Sequence, residues 1–249
     1  MLKISEIKEC LAPAVEMFKT VYPMVEVPEI MACSPERAEK VREQAVQECG
    51  AVNEKYNDSL AAEVIWGPMG TKILFYQSKA IDKDDVYHNV WHELGHVMFG
   101  RNTKYGIEIE ENSPIFLGYN LLSEFMAEYI AYTVNEFKPL WYNEDINDRL
   151  IRALYDGKKI IQPYSLSMYL AMAMGNHDIT KDELSQGGSY TSEDVWESIL
   201  CIRRVISKQV AKENFWEPDI AFIEEIGDLY MELMYTLIWE KRMKGGKIG

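Results

Sequence analysis

Residues 82–100 read DKDDVYHNVWHELGHVMFG, and this stretch decides the reading of the chain. Asp82 stands as an N-cap with Asp85 three residues on, an aspartate version of the capping box. Asp84 and Asp85 suit the positive end of a helix dipole. Gly100 sits where a C′ glycine would end a helix. The spacing predicts a helix over 83–99. Tyr87, Val90, Trp91, Leu94, Val97 and Met98 form its apolar stripe for the core. Three of the chain's 4 histidines, His88, His92 and His96, share a different face.

Within this helix His92-Glu93-Leu94-Gly95-His96 has the spacing H-E-x-x-H. Two histidines one turn apart can bring both imidazoles to one metal ion. Glu93 projects about 100° round the helix from His92, so it can address a water beside the metal without being a ligand. Neutral imidazole nitrogens suit Zn²⁺, which in catalytic sites takes three protein ligands and keeps one position for water or substrate. The bland alternative is a helix with polar residues on its solvent face. His88 is a weaker ligand candidate, because pairing it with His92 puts Asn89 where the base should stand. It reads as a helix-surface or cleft residue.

A second element supplies acids. SEFMAEYIAY (123–132) puts Glu124 and Glu128 four apart on one helical face, with Ala127 and Ala131 beside them. Small residues there allow close approach of another helix. A carboxylate 28 residues after His96 is well placed as a third zinc ligand, and one a turn later can fix the tautomer of a ligating histidine. The two acids compete for the ligand role; Glu124, the earlier, is favoured. The competing reading is a solvated pair, although like charges at i, i+4 repel slightly on an exposed helix.

Working outward, a helix is expected over 4–20, interrupted early by Pro13. A β-like stretch follows at 25–33, where Pro28 suggests a sheet edge. Ser34 and Pro35 open a helix to about Cys49. Two strands joined by Gly-Pro-Met-Gly lie in 62–77. Further helices are expected at 121–137, 144–156, 163–174, 192–212 and 218–243. The last carries Ile223, Ile226, Tyr230, Leu233, Leu237 and Ile238 at core spacing. A partner-binding helix is the alternative to a docked one. The fold class is α+β: a small antiparallel or mixed sheet, then a mostly helical C-terminal half. The chain reads as one domain over 1–249, with a core at about 1–140 and a helical extension at about 141–249.

Composition excludes other classes. At 249 residues the chain needs neither disulfide nor metal simply to fold. Lys+Arg number 26 against 40 Asp+Glu, a net charge of −14, which argues against a nucleic-acid partner. Lys241, Arg242, Lys244 and Lys247 form a basic cluster, for which helix-dipole compensation and solubility are the plain explanation. No apolar run is long enough to span a membrane, and no membrane partner is expected. The start, MLKISEIKEC, lacks a signal-peptide pattern. Cys10, Cys33, Cys49 and Cys201 show no C-x-x-C spacing, so reduced thiols and a cytoplasmic location are expected. The oligomeric state is not legible.

HELGH followed by a helix carrying two acids resembles the gluzincin type of zinc metallopeptidase. More narrowly, residues 82–137 look like the small cytoplasmic peptidases of the ImmA/IrrE kind. That family's second helix usually reads E-x-x-A-[ND]-x-F-A, whereas this chain has SEFMAEYIA. The resemblance does not reach the last hundred residues, and no metzincin pattern is present, since residue 102 is Asn. It implies a zincin-like fold, with the small sheet preceding an active-site helix. It implies His92, His96 and Glu124 as zinc ligands, Glu93 as general base, Glu128 as the supporting acid, and a peptide or protein as substrate. Gluzincins often stabilise the tetrahedral oxyanion with a downstream His or Tyr; His177, Tyr164 and Tyr190 are the candidates here. Glu108, Glu110 and Glu111 read as a solvated loop, or as a cleft rim favouring basic substrates. SPIFLGYN (113–120), on the same connection, is expected to cover the site or offer a substrate edge. The competing function is a non-catalytic zinc-binding regulatory or interaction protein on the same fold. Glu93 and the three-ligand set favour the enzyme, because a structural zinc is usually closed by a fourth protein ligand.

Overall fold

A computed structural model of the chain describes residues 1–52, 56–58, 60–102, 113–133, 146, 148, 150, 154, 163–175 and 191–245. These divide into two compact units: Met1–Met98, and Phe99–Thr133 with the described residues from 146 onward. The class is α+β, with a three-stranded sheet and a predominance of helix.

The sheet belongs to the first unit. β1 (Glu29–Cys33), β2 (Ala62–Gly67) and β3 (Gly70–Tyr76) lie in the order β1-β3-β2. β1 runs parallel to β3 and β2 antiparallel, so the sheet is mixed and β1 is an edge strand, as Pro28 suggested. Gly67 pairs with Gly70 across Pro68-Met69, closing the expected hairpin. A Cβ on Gly67 would stand 2.0 Å from the Cys49 carbonyl oxygen, so only glycine lets the hairpin end reach that backbone. There Met69 N donates to Cys49 O at 3.0 Å.

Ile73, Leu74, Phe75 and Tyr76 are all buried, as a central strand covered on both faces requires. Leu74 and Tyr76 pack with Cys33, Val46, Cys49 and Ile65. Val46 and Cys49 come from α2 (Ala38–Cys49), which ends at Gly50 in the left-handed region, φ 67°. Ser34 does not cap α2 directly. It precedes a 3-10 turn, Pro35–Arg37, and makes no side-chain cap bond. Under α2 lies a polar group: Arg42 Nε donates to Glu63 at 3.1 Å, and the Tyr76 hydroxyl donates to the same carboxylate. Burial, then this bond, push the Tyr76 hydroxyl far above the usual tyrosine range.

α1 (Ile4–Val21) is continuous, with Pro13 inside it, so the expected interruption does not occur. It is tied to α3 (Lys83–Asn102) by Phe18 against Trp91, ring centroids 5.2 Å apart, and by Trp91 Nε1 donating to Ala14 O at 3.2 Å. α3 outruns its expected end at Gly100. A helical glycine costs only about 1 kcal/mol, which tertiary packing readily overrides. α3 continues through the boundary between Met98 and Phe99 into the second unit.

The second unit holds α4 (Pro114–Tyr132), α5 (Pro163–Gly175), α6 (Glu193–Val210) and α7 (Ile220–Gly245). Ser113 caps α4 by accepting from Phe116 N at 3.2 Å, with Pro114 in the first turn. SPIFLGYN is therefore the cap and opening of α4, a correction to its expected place on a connecting segment. α4 packs against α5 and α7. Ser167 Oγ donates to Leu121 O at 2.9 Å. At the α4–α7 crossing, a Cβ on Gly118 would lie 1.9 Å from Ile223 O and one on Gly227 1.7 Å from Pro114 O. The two backbones touch there. Ile223, Ile226, Tyr230, Leu233 and Leu237 are buried and Ile238 is half-buried, so α7 is docked by the face its spacing marked, with Ile238 at that face's margin. Val195, Ile199, Ile202, Val205 and Ile206 of α6 are buried likewise. The helix expected at 144–156 lies mostly outside the described residues.

Candidate metal centre

The N-terminus of α3 is built as its acids predicted. Asp85 N donates to Asp82 Oδ1 at 2.9 Å, and Asp82 N donates back to Asp85 Oδ2 at 3.2 Å. Ile81 N adds a third bond to Asp85 Oδ2 at 3.0 Å. Burial pushes the Asp85 carboxyl above its usual range; the bonds from Asp82 and Ile81 pull it back.

One turn on, His88 is buried, which corrects the expectation of a helix-surface residue. His92 and Glu93 are buried too, and His96 is half-buried. The histidine face is thus not a solvent face. Val86, Val90, Trp91, Leu94, Val97, Met98 and Phe99 are also buried, so α3 is enclosed on almost every side.

The histidine pair converges. His92 Nε2 and His96 Nε2 are 3.0 Å apart, with ring planes at 87° and centroids 4.6 Å apart. Helical i, i+4 spacing brings the rings together, and their rotamers turn the same nitrogen of each toward one point. Two ligands of a tetrahedral zinc, each about 2.05 Å from it, would be about 3.3 Å apart. The observed spacing is within a few tenths of an ångström of that. At this distance the nitrogens either share one N–H···N bond or direct two lone pairs at a common cation.

In the second unit, Glu124 and Glu128 sit one turn apart on α4. Glu128 is buried and Glu124 half-buried, so they are not a solvated surface pair. Ala127 and Ala131 are buried beside them. Among the described residues, His92, His96 and Glu124 form a group that could hold a metal ion, one ligand atom from each and all within 4.8 Å of one another. Two imidazole nitrogens and one carboxylate oxygen are a donor set that zinc accepts.

Of the oxyanion candidates, Tyr164 is exposed in the first turn of α5. His177 and Tyr190 lie outside the described residues, as do Glu108, Glu110 and Glu111. The four cysteines are free thiols. Burial pushes the Cys33 thiol up to about 11. No helix among the described residues is long and apolar enough to cross a membrane.

Sequence reading missed the Arg42–Glu63–Tyr76 group. Its three members come from separate elements, and no local spacing announces them. Comparison of the chain with family models, curated proteins and solved structures gives no match.

Proposed function

We propose that this chain is a zinc-dependent metallopeptidase of gluzincin type, with His92, His96 and Glu124 as metal ligands. The observation that carries the reading is the convergence of the two Nε2 atoms, 3.0 Å apart, within a group that could hold a metal. Bound zinc supplies Lewis acidity toward a peptide carbonyl and lowers the pKa of water toward 7.

The remaining work falls to the chain's own side chains. Glu93 follows His92 directly, so its carboxylate is offset round the helix from the ligand position and serves as base. It takes a proton from the attacking water and passes it to the leaving amine, a role typically worth about 10²–10⁴-fold in rate. Glu128 orients a ligating histidine and fixes its tautomer. The oxyanion partner is drawn from His177, Tyr164 and Tyr190. The substrate is a peptide or protein, and the free thiols fit a reducing, cytoplasmic setting.

A peptide-library digest with wild type, Glu93→Gln and chelator-treated protein tests this. The reading expects cleavage by wild type alone, with Glu93→Gln folded and still binding zinc. Undiminished cleavage by Glu93→Gln would remove the base. Absence of cleavage by zinc-loaded wild type would turn the reading to a zinc-binding regulatory protein.

A further inference from the structure

β1 is the open side of the sheet. β3 covers one of its edges, and among the described residues no strand pairs with the other. An open edge presents a row of N–H and C=O groups, and an extended backbone is what matches such a row. Pro28 has no N–H and ends the row on one side, so Glu29–Cys33 is the stretch that can pair, about 17 Å long.

A helix flank overlooks this edge. Lys8, Leu11, Ala12, Val15, Glu16 and Lys19 recur at i, i+3 and i+4 along α1 and, with residues 27–32, wall a groove of about 670 Å³. The core face of α1 is a different one, carried by Ile7, Cys10, Ala14 and Phe18. Val15 and Ile30 are half-buried, and Lys8, Ala12 and Glu16 are exposed. Met31 and Cys33 pack on the α2 side of the sheet, so strand alternation turns Ile30 to the α1 side.

α1 runs antiparallel to β1. Its start is held beyond the end where Cys33 pairs with Tyr76: Gln77 Nε2 donates to Leu2 O at 3.0 Å, and Leu2 N donates to Ala80 O at 2.9 Å. From there the helix rises about 15 Å to Ala12 and the strand about 13 Å to Ile30. Ala12 therefore comes level with Ile30 to within one turn.

Charge chooses the occupant. Ala12 stands midway between Lys8 and Glu16 in the sequence, and all three share the groove face. A two-fold axis past Ala12 lays α1 antiparallel to the α1 of a second copy, with Lys8 of each against Glu16 of the other. The same axis past Ile30 pairs β1 antiparallel with its copy and joins two three-stranded sheets into one of six. One operation thus pairs the open edge, covers Val15 and Ile30, and matches the charges. A foreign strand would have no use for that symmetric placement. Size sets the strength: the 12 residues walling the groove fall well short of the roughly 20–30 a side of a standard interface. Each copy also carries a net charge of −14, which opposes association.

We propose that the α1 flank and the β1 edge form a two-fold interface between copies of this chain, giving a weak, concentration-dependent dimer. This inference does not rest on the metal reading.

Sedimentation velocity of the full chain across micromolar to millimolar concentration tests it. The wild type is expected to pass from monomer to dimer, and hydrogen exchange at the amides of Glu29–Cys33 should slow in step as the strands pair. Lys8→Glu sets like charges together at two symmetry-related places and should weaken dimerisation about tenfold, as should Glu16→Lys. The double variant Lys8→Glu, Glu16→Lys should restore it, because positions eight apart on a helix meet only across the axis. Circular dichroism should stay that of wild type in all three variants, since both positions are exposed. A folded wild type that remains monomeric at millimolar concentration overturns the proposal. So does a dimer indifferent to the single variants, or one that the double variant fails to restore. A monomer whose β1 amides slow only on addition of an alternating valine–threonine peptide assigns the edge to a foreign strand instead.

Discussion

His92 Nε2 and His96 Nε2 stand 3.0 Å apart on successive turns of α3, their rings nearly perpendicular. The turn that separates them is fixed by α3, most of whose side chains are buried. The pair is therefore set by the fold before any ligand arrives, and a metal bound there stabilises the folded state by mass action.

Zinc at about 100 times its dissociation constant should add about 2.7 kcal/mol to stability. Thermal unfolding of chelator-treated protein, with and without added zinc, measures this. His92→Ala should abolish the zinc increment. An equal increment in that variant would place the metal elsewhere.

The acid pair on α4 separates by metal affinity. With Glu124 as the ligand, Glu128→Gln should weaken zinc binding about 10–100-fold without abolishing it. Glu124→Gln should do more damage than Glu128→Gln. Competition with a fluorescent chelator gives both constants, and the reverse ranking would exchange the roles.

Gly118 and Gly227 let the α4 and α7 backbones touch. Gly227→Ala puts a methyl 1.7 Å from Pro114 O, so the helices must separate. Overpacking of this kind costs about 1–3 kcal/mol. Each kcal/mol lowers the melting temperature by about 2–4 °C in a chain this size. Calorimetry showing an unchanged melting temperature would contradict the contact.

Thiol chemistry should follow burial. Cys33 is buried with its thiol pushed up to about 11, so at pH 8 only about one molecule in a thousand carries its thiolate. A chromogenic disulfide reagent should label half-exposed Cys201 quickly and Cys33 only on unfolding. Fast labelling of Cys33 in folded protein would contradict its burial.

Local signals carried most of what the sequence revealed. Asp82 and Asp85 fixed the start of α3, and Gly67 to Gly70 marked the hairpin. The H-E-x-x-H spacing pointed to the converging nitrogens. What escaped depends on tertiary surroundings. His88 read as a helix-surface or cleft residue because pairing it with His92 puts Asn89 where a base should stand; its burial comes from packing that no spacing reports. Gly100 read as a stop because isolated helices end there, and here the packed helix runs on. Ser113 and Pro114 are a helix start in plain view, missed because the apolar run after them resembled a loop segment over a site. The Glu124 and Glu128 pair was legible as a shared face, but only burial distinguishes it from a solvated pair.

The central claim is that His92, His96 and Glu124 hold one metal ion. Elemental analysis of protein reconstituted with excess zinc and then desalted tests it most directly, alongside His96→Ala and Glu124→Ala variants shown to be folded. The account predicts about one zinc per chain in the wild type and little in either variant. Well-folded wild type that retains none, or variants that retain as much as wild type, would contradict it.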